Sequence, residues 1–137
     1  MKTRTGGFTL IELLIVMVVA SILMMVAIPS YQQAVIKSRR ADARIALNDV
    51  AQRLERCYTQ FDAYDAADCG IADGDEIASQ EGFYLVTVTV EEVDDQMTYS
   101  LSAAPQGAQA ADTDCGDLEM NAVGVRSATG DSTAHCW

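Results

Sequence analysis

Basic side chains are scarce in the C-terminal part of this 137-residue chain. After Arg56 the only basic residue is Arg126, whereas sixteen residues of the same stretch are acidic. Such a surface repels the phosphate backbone of nucleic acids, which proteins bind mainly through lysine and arginine. No nucleic-acid partner is therefore expected at this end of the chain.

Histidine is nearly absent as well, since His135 is the only one. No grouping of histidine with serine, cysteine or a carboxylate points to an activated nucleophile. The cysteines lack the C-x₂-C spacing of zinc sites, and the acidic run DGDE at residues 73–76 lacks the ligand spacing of an EF-hand loop. The chain is therefore not expected to be an enzyme or to hold a metal or cofactor.

Glycine and proline are missing from residues 30–61, which predicts an uninterrupted helix there. Apolar residues recur in it at steps of three or four, as on one face of a helix: Ala43, Leu47, Val50, Leu54, Tyr58 and Phe61. We expect this stripe to pack on a sheet. Five charged residues are predicted on the other faces: Arg40, Arg44, Asp49, Arg53 and Arg56.

Six of the nine basic residues of the chain, including Lys37 and Arg39, lie in this amphipathic helix. The simplest interpretation is a solvated helix face. The segment also lies just beyond a long apolar run, where it could face anionic lipid head groups or the acidic surface of a neighbouring subunit. The sequence leaves these interpretations open.

Apolar residues are concentrated at the N-terminus. Residues 8–28 include 18 apolar side chains among 21, and their single charge is Glu12. As a helix this run would be about 30 Å long, the thickness of a bilayer core. A glutamate in such a run costs roughly 2.5–3.5 kcal/mol on insertion scales, so it needs a reason. Pro29 follows the run and predicts a bend, because proline cannot bond to the carbonyl of Met25.

A short leader, MKTRTGG, precedes the apolar run and carries Lys2 and Arg4 as its charges. Its glycine pair suits a protease that cuts between Gly7 and Phe8 and leaves the helix attached. A secretory signal peptide is the alternative, but the run is long for one and AIP at residues 27–29 is a poor cleavage site. A plain membrane anchor explains neither the glycines nor the glutamate.

The remainder of the chain predicts a small antiparallel sheet. Three strands with alternating side chains are predicted at residues 83–90, 98–104 and 116–120. Loops and turns are predicted at residues 62–82, 91–96, 105–114, 121–124 and 127–133. One long helix followed by an antiparallel meander makes the chain an α+β protein.

Four cysteines follow the apolar run: Cys57, Cys69, Cys115 and Cys136. An even number in an exported domain indicates two disulfides formed in an oxidising compartment. Three pairings are possible in principle.

The N-terminus resembles that of the type IV pilins. The matching residues are GFTLIE at positions 7–12, the apolar helix after them, and PSY at positions 29–31. The resemblance implies that a prepilin peptidase cuts after Gly7 and that Phe8 becomes the N-methylated first residue. It also implies that Glu12 pairs with the N-terminus of a neighbouring subunit during assembly. The pseudopilins of type II secretion share this motif, so it does not separate the two groups.

The C-terminal part resembles the PilE-like minor pilins. The matching segments are RADA at residues 40–43, Ala104-Pro105 after the strand pair, CGDLEMN at residues 115–121, Gly124, and Cys136-Trp137. The resemblance implies the type IV pilin fold, with the long helix packed on the sheet and a disulfide between Cys115 and Cys136 that closes the C-terminal loop. Cys57 and Cys69 depart from the pattern, and their pairing is predicted from proximity alone.

Four segments are predicted: a leader (residues 1–7), a transmembrane and assembly helix (8–29), an amphipathic helix (30–61) and a head (62–137). We expect a structural subunit of a type IV pilus, and a minor one, acting in pilus biogenesis, adhesion and twitching motility. Before assembly it would cross the inner membrane once with its head in the periplasm, and afterwards it would lie in the extracellular pilus.

The expected partners are other pilins, the prepilin peptidase and N-methyltransferase, the inner-membrane assembly platform and, before assembly, membrane lipid. Two alternatives remain. The first is a pseudopilin of type II secretion. The second is a surface adhesin that binds a ligand through residues 62–82 or 115–136.

Overall fold

The computed structural model describes residues 7–137, except for the side chain of Thr133. The predicted leader therefore lies outside the described residues apart from Gly7. The chain divides into two units, the first ending at Val35 and the second running from Ile36 to Trp137.

A single long helix, α1 (Leu10–Phe61), includes Pro29. It begins where the hydroxyl of Thr9 accepts a hydrogen bond from the backbone N–H of Glu12 at 3.3 Å, which caps one of the unpaired amides of the first turn. It ends at Asp62, whose φ of 57° is left-handed and whose N–H donates to the carbonyl of Tyr58. The predicted helical continuity is confirmed, while the bend at Pro29 stays a prediction.

The second unit carries a five-stranded antiparallel sheet in the order β1-β2-β3-β4-β5. Its strands are β1 (Glu76–Ala78), β2 (Tyr84–Val93), β3 (Gln96–Pro105), β4 (Leu118–Asn121) and β5 (Arg126–Ala128). The predicted α+β class and meander are confirmed. β1 and β5 were not predicted, because they have three residues each and are too short for alternation to be visible.

The prediction of a loop at residues 91–96 was wrong in extent. β2 and β3 remain paired as far as Val93 and Gln96, and only two residues form the turn. Asp94 and Asp95 have φ values of 53° and 60°, as in the type I′ turns that match the twist of a hairpin. Glu91 and Glu92 are polar because this part of the hairpin is exposed, although it is still strand.

Short 3₁₀ helices interrupt two of the predicted loops, at Ala67–Cys69 and Gly107–Ala111, and a third begins where the last predicted loop ends, at Thr133–His135. The core of the head lies between α1 and one face of the sheet. The alternation predicted for β2 and β3 is confirmed, because Tyr84, Val86 and Val88 are buried in β2 and Tyr99, Leu101 and Ala103 in β3.

The predicted helix stripe is buried only in part. Leu47 and Leu54 are fully buried, but Tyr58 and Phe61 are 36% and 44% exposed. Cys57 takes the buried position in the last turns of α1 instead. Tyr58 stacks on the ring of Tyr64 with centroids 4.7 Å apart, so it covers the edge of the core without entering it.

Two disulfides close loops in the head, Cys57 to Cys69 and Cys115 to Cys136, which are the predicted pairs. The first joins the end of α1 to the segment that follows it. The second ties the C-terminus to the start of β4. Both lie in the second unit, and each has a Cα–Cα distance of 5.6 Å.

Candidate assembly interface

The N-terminal part of α1 presents an apolar surface. Every large apolar side chain in residues 8–28 is at least half exposed, from 50% for Val19 to 79% for Phe8. The core of the head contains no residue before Ala43 among those the structure describes. By length and composition α1 can cross a membrane. This surface therefore needs lipid or other helices around it.

Glu12 lies in the first turn of α1, where a negative charge is favourable beside the unpaired amides of the helix start. Its side chain is exposed, and within residues 7–137 it makes no ion pair. Phe8 precedes Glu12 by four residues and lies just before the start of α1 at Leu10. The side chain of Glu12 is thus accessible from outside its own helix.

Small residues interrupt the apolar surface at Ala20, Ser21 and Ala27. Ser21 donates its hydroxyl hydrogen to the carbonyl of Met17 at 2.7 Å, so the hydroxyl is satisfied within the helix. Small side chains allow helices to approach closely. In a bilayer the lipid tails are as apolar as the side chains, so helices associate through such close packing and not through the hydrophobic effect.

Arg40 is buried. The prediction that it lies on a charged face of the helix, away from the apolar stripe, was therefore wrong. Its guanidinium donates two hydrogen bonds to the carboxylate of Asp112, each 2.6 Å long, and the two side chains are 4% and 1% exposed. The bond to Asp112 raises the pKa of Arg40 against the opposing effect of burial. A signal was present in the sequence, because Arg40 precedes Ala43 and Leu47 by three and seven residues and so lies on the same face.

Asp42 fixes a second segment to α1. Its carboxylate accepts hydrogen bonds from the hydroxyl of Ser79 at 2.5 Å and from the backbone N–H groups of Glu81 and Phe83 at 3.2 and 3.4 Å. Within the RADA segment at residues 40–43, Arg40 thus binds the connection after β3, and Asp42 binds the turn before β2. These side chains tie both segments to α1.

The connection at residues 105–114, predicted as polar, contains the fully buried Gln109. Its amide nitrogen lies within hydrogen-bond distance of the Ile36 carbonyl, the Tyr84 hydroxyl and the Asp112 carboxylate, at 3.2, 3.0 and 3.2 Å. Burial raises the pKa of Tyr84, so its hydroxyl stays protonated and neutral within this network. Sequence reasoning missed Gln109 and Asp112 because their partners are far along the chain.

Arg126, the only basic residue after Arg56 in the sequence, lies close to α1. A groove with a cavity volume of about 530 Å³ runs between α1 and the β4–β5 turn, and we call it the arginine groove. Its lining includes Arg56, Arg126, Asn48, Gln52 and Asn121. The guanidinium of Arg126 also lies 5.2 Å from the centroid of the Trp137 ring. No pattern in the sequence predicts that these two arginines line one groove.

Two family models match the chain. One is described as “Type IV minor pilin ComP, DNA uptake sequence receptor” and covers residues 29–119. The other, “Prokaryotic N-terminal methylation motif”, covers residues 2–28. Together they account for the apolar helix, the amphipathic helix and most of the sheet.

A curated protein and a solved structure agree with these matches. The “Type IV major fimbrial protein FimA” of Dichelobacter nodosus is 34% identical over 94 residues, which make up 64% of this chain and 59% of FimA. This chain therefore spans less than two thirds of that relative. A type IV pilin structure from Shewanella oneidensis is 27% identical and superposes with a TM-score of 0.50 over 74% of this chain and 97% of that one. The chain belongs to the type IV pilins, in the minor pilin family to which the first model refers.

Proposed function

We propose that this protein is a minor structural subunit of a type IV pilus, cut between Gly7 and Phe8, N-methylated at Phe8 and assembled through residues 8–29. The observation that carries the proposal is the exposed apolar surface of residues 8–28, to which the core of the head contributes nothing. A surface of that size is stable in a bilayer or in a bundle of like helices. The N-terminal methylation motif supports the processing step.

Glu12 gives the bundle its register in this proposal. After cleavage Phe8 carries a cationic amine, and both charges lie in an apolar layer where each is costly alone. A neighbour displaced along the filament can offer its amine to this carboxylate. A wrong axial position would leave both charges unpaired, so the pair selects one position.

Before assembly the subunit would span the inner membrane once, with Lys2 and Arg4 on the cytoplasmic side and the head in the periplasm. Its partners would be the prepilin peptidase and N-methyltransferase, the inner-membrane assembly platform and other pilins. In the filament it would take part in pilus biogenesis, and through it in adhesion and twitching motility.

The test compares the membrane pool with sheared filaments. Mass spectrometry of both is expected to find a chain that begins at a singly methylated Phe8. A mature chain that begins beyond residue 28 would overturn the proposal, because the assembly helix would have been removed. Recovery from a secretion pseudopilus, and not from pili, would favour the pseudopilin alternative. A Gly7→Val variant is the matched control and should accumulate uncut in the membrane.

A second candidate function is DNA binding, which the description of the ComP family as a DNA uptake sequence receptor favours. The arginine groove adds support that the sequence alone did not provide, because it brings Arg56 and Arg126 together beside amide side chains. The overall charge opposes it. Removal of Lys2 and Arg4 leaves seven basic against twenty acidic side chains, a net charge of −13. Gel-shift measurements with duplex DNA at several salt concentrations test this function, since true phosphate contacts give a steep salt dependence.

A further inference from the structure

The arginine groove holds two guanidiniums without a carboxylate partner. In residues 7–137 the ion pairs are Arg40 with Asp112 and Arg53 with Asp49, so neither groove arginine is paired. Arg56 donates only to the carbonyl of Gln52, at 3.3 Å, and Arg126 lies over the ring of Trp137. The groove is therefore positively charged and open to a negatively charged ligand.

The groove also contains one carboxylate, that of Glu55. Burial raises the pKa of the Tyr99 hydroxyl, and the charge of Glu55 and its hydrogen bond with Tyr99 add to this. Glu55 is thus engaged with the tyrosine at the base of the groove. Its charge offsets one arginine, so the groove suits a few carboxylates better than the dense phosphates of a nucleic acid.

The other side chains that line the groove are mostly uncharged: Asn48, Gln52 and Asn121 carry amides, and Ala51 and Ala122 are small. Two guanidiniums among neutral side chains favour an occupant of negative charge. The occupant should therefore present several exposed carboxylates.

The tip of the β2–β3 hairpin, residues 91–95, has that composition. Val93 is 50% exposed at its centre. Four exposed carboxylates surround it: Glu91, Glu92, Asp94 and Asp95. None of the four makes an ion pair within the described part of the chain.

A hairpin tip cannot reach the groove of its own chain by continuing the sheet. β4 pairs with β3 only as far as Ser100 and Asn121. The tip lies beyond Gln96, a further four residues or about 13 Å along the strand. Its carboxylates therefore project past the end of β4, where they are accessible to another molecule.

We propose that the arginine groove is the docking site for the hairpin tip of a second copy of this chain. The tip carboxylates of one copy pair with Arg56 and Arg126 of the other. The contact rests on the proposed function as a filament subunit and adds a head-to-head interface to the helix bundle. Each copy carries a net charge of −13 after cleavage, so two copies repel each other in most orientations. The orientation that places the hairpin tip in the arginine groove pairs opposite charges and is therefore favoured.

Cross-linking of the full mature chain tests which surfaces meet. Arg126→Lys keeps the charge and gives an amine that a carbodiimide joins directly to a carboxylate. A mixture of ¹⁵N-labelled and unlabelled chains, solubilised together in detergent, separates links between copies from links within one. We expect a mixed-isotope peptide that joins position 126 to a carboxylate of residues 91–95. Links from position 126 only to other regions, or only within one chain, would overturn the proposal.

Charge reversal gives the second measurement. In copies that carry two different tags, Arg56→Glu with Arg126→Glu is expected to lower co-purification about tenfold, because like charges would then face each other. Asp94→Lys with Asp95→Lys in the other copy should restore it. Arg53→Glu is the matched control, since Arg53 is on the same helix but pairs with Asp49 outside the groove. Unchanged co-purification in the double variant would overturn the docking contact.

The two proposals fail separately. The N-terminus of the mature chain and its presence in filaments report on the proposed function alone. Copy-to-copy linkage in detergent reports on the docking contact whether or not filaments form. A methylated Phe8 together with no linkage to residues 91–95 would reject the docking contact and leave the pilin function intact.

Discussion

Arg40 and Asp112 form a two-pronged ion pair inside the head, with both hydrogen bonds 2.6 Å long and the partners 72 positions apart in the chain. A buried pair adds little to stability over a well-packed apolar pair, but loss of one partner leaves an uncompensated charge. Asp112→Ala is therefore expected to lower the free energy of unfolding by about 3–5 kcal/mol. Urea unfolding of the full chain in detergent, followed by the fluorescence of Trp137, measures this.

The same pair provides its own control. Arg40→Met combined with Asp112→Leu removes both charges and should recover most of the stability that Asp112→Ala alone loses. The exposed pair of Arg53 and Asp49 should contribute about 1 kcal/mol or less, because both side chains are 50% exposed. A double variant of Arg40 and Asp112 as unstable as the single one would show that the ion pair itself holds the segments together.

Alkaline pH should destabilise the head. Burial raises the pKa of Tyr84 and of Tyr99 above the ordinary value of 10.0. The unfolded chain releases these protons near pH 10, whereas the folded chain keeps them to higher pH. The stabilisation is therefore complete below that pH and is lost as pH rises towards the folded pKa values. Between these pH values we expect each tyrosine to lower the free energy of unfolding by about 1.4 kcal/mol per pH unit.

Tyr99→Phe tests this slope, because phenylalanine keeps the ring and removes the proton. The stability of the variant should fall less steeply between pH 10 and pH 12, by about one proton's slope. Tyr31, which is 72% exposed, supplies the matched control as Tyr31→Phe. Equal slopes for wild type and Tyr99→Phe would mean that Tyr99 ionises in the folded head as readily as in the unfolded chain.

Glu12→Ala should leave membrane insertion and cleavage after Gly7 unchanged but lower entry into filaments. The reason is that the cationic amine of a neighbour would have no carboxylate to pair with in the apolar bundle. Glu12→Asp shortens the reach and should be intermediate. The amount of subunit in sheared pili relative to the membrane pool measures the effect. Wild-type incorporation of the alanine variant would show that the carboxylate is not needed for docking.

Removal of a disulfide should destabilise the head by on the order of 3 kcal/mol for either pair, as estimated from the loops that the bonds close in the chain-entropy model. Cys57→Ser with Cys69→Ser and Cys115→Ser with Cys136→Ser are the variants, and urea unfolding is the measurement. The pairing itself is checked by peptide mapping without reduction. A peptide that links Cys69 to Cys115 would contradict both bonds.

Local patterns were sufficient for the elements with a clear period. The helix from residue 30 to 61 follows from its apolar steps and its lack of glycine and proline, and β2 and β3 follow from alternation. The same reasoning misplaced Tyr58 and Phe61, because the period describes a face and does not say where the sheet beneath it stops. It missed β1 and β5 because three residues are too few to show a period.

The sequence by itself determined the apolar helix with its single glutamate, the glycine that precedes it and the α+β order of elements, since each depends on residues close together in the chain. Only the tertiary structure decided that Arg40 is buried on Asp112, that Gln109 is buried beside Tyr84 and that Arg56 and Arg126 share a groove. These contacts join residues 25 to 73 positions apart, as in the bonds from Gln109 to Tyr84 and to Ile36. Which distant side chains meet is set by the packing of the helix on the sheet, and composition or periodicity within a single segment carries no record of it.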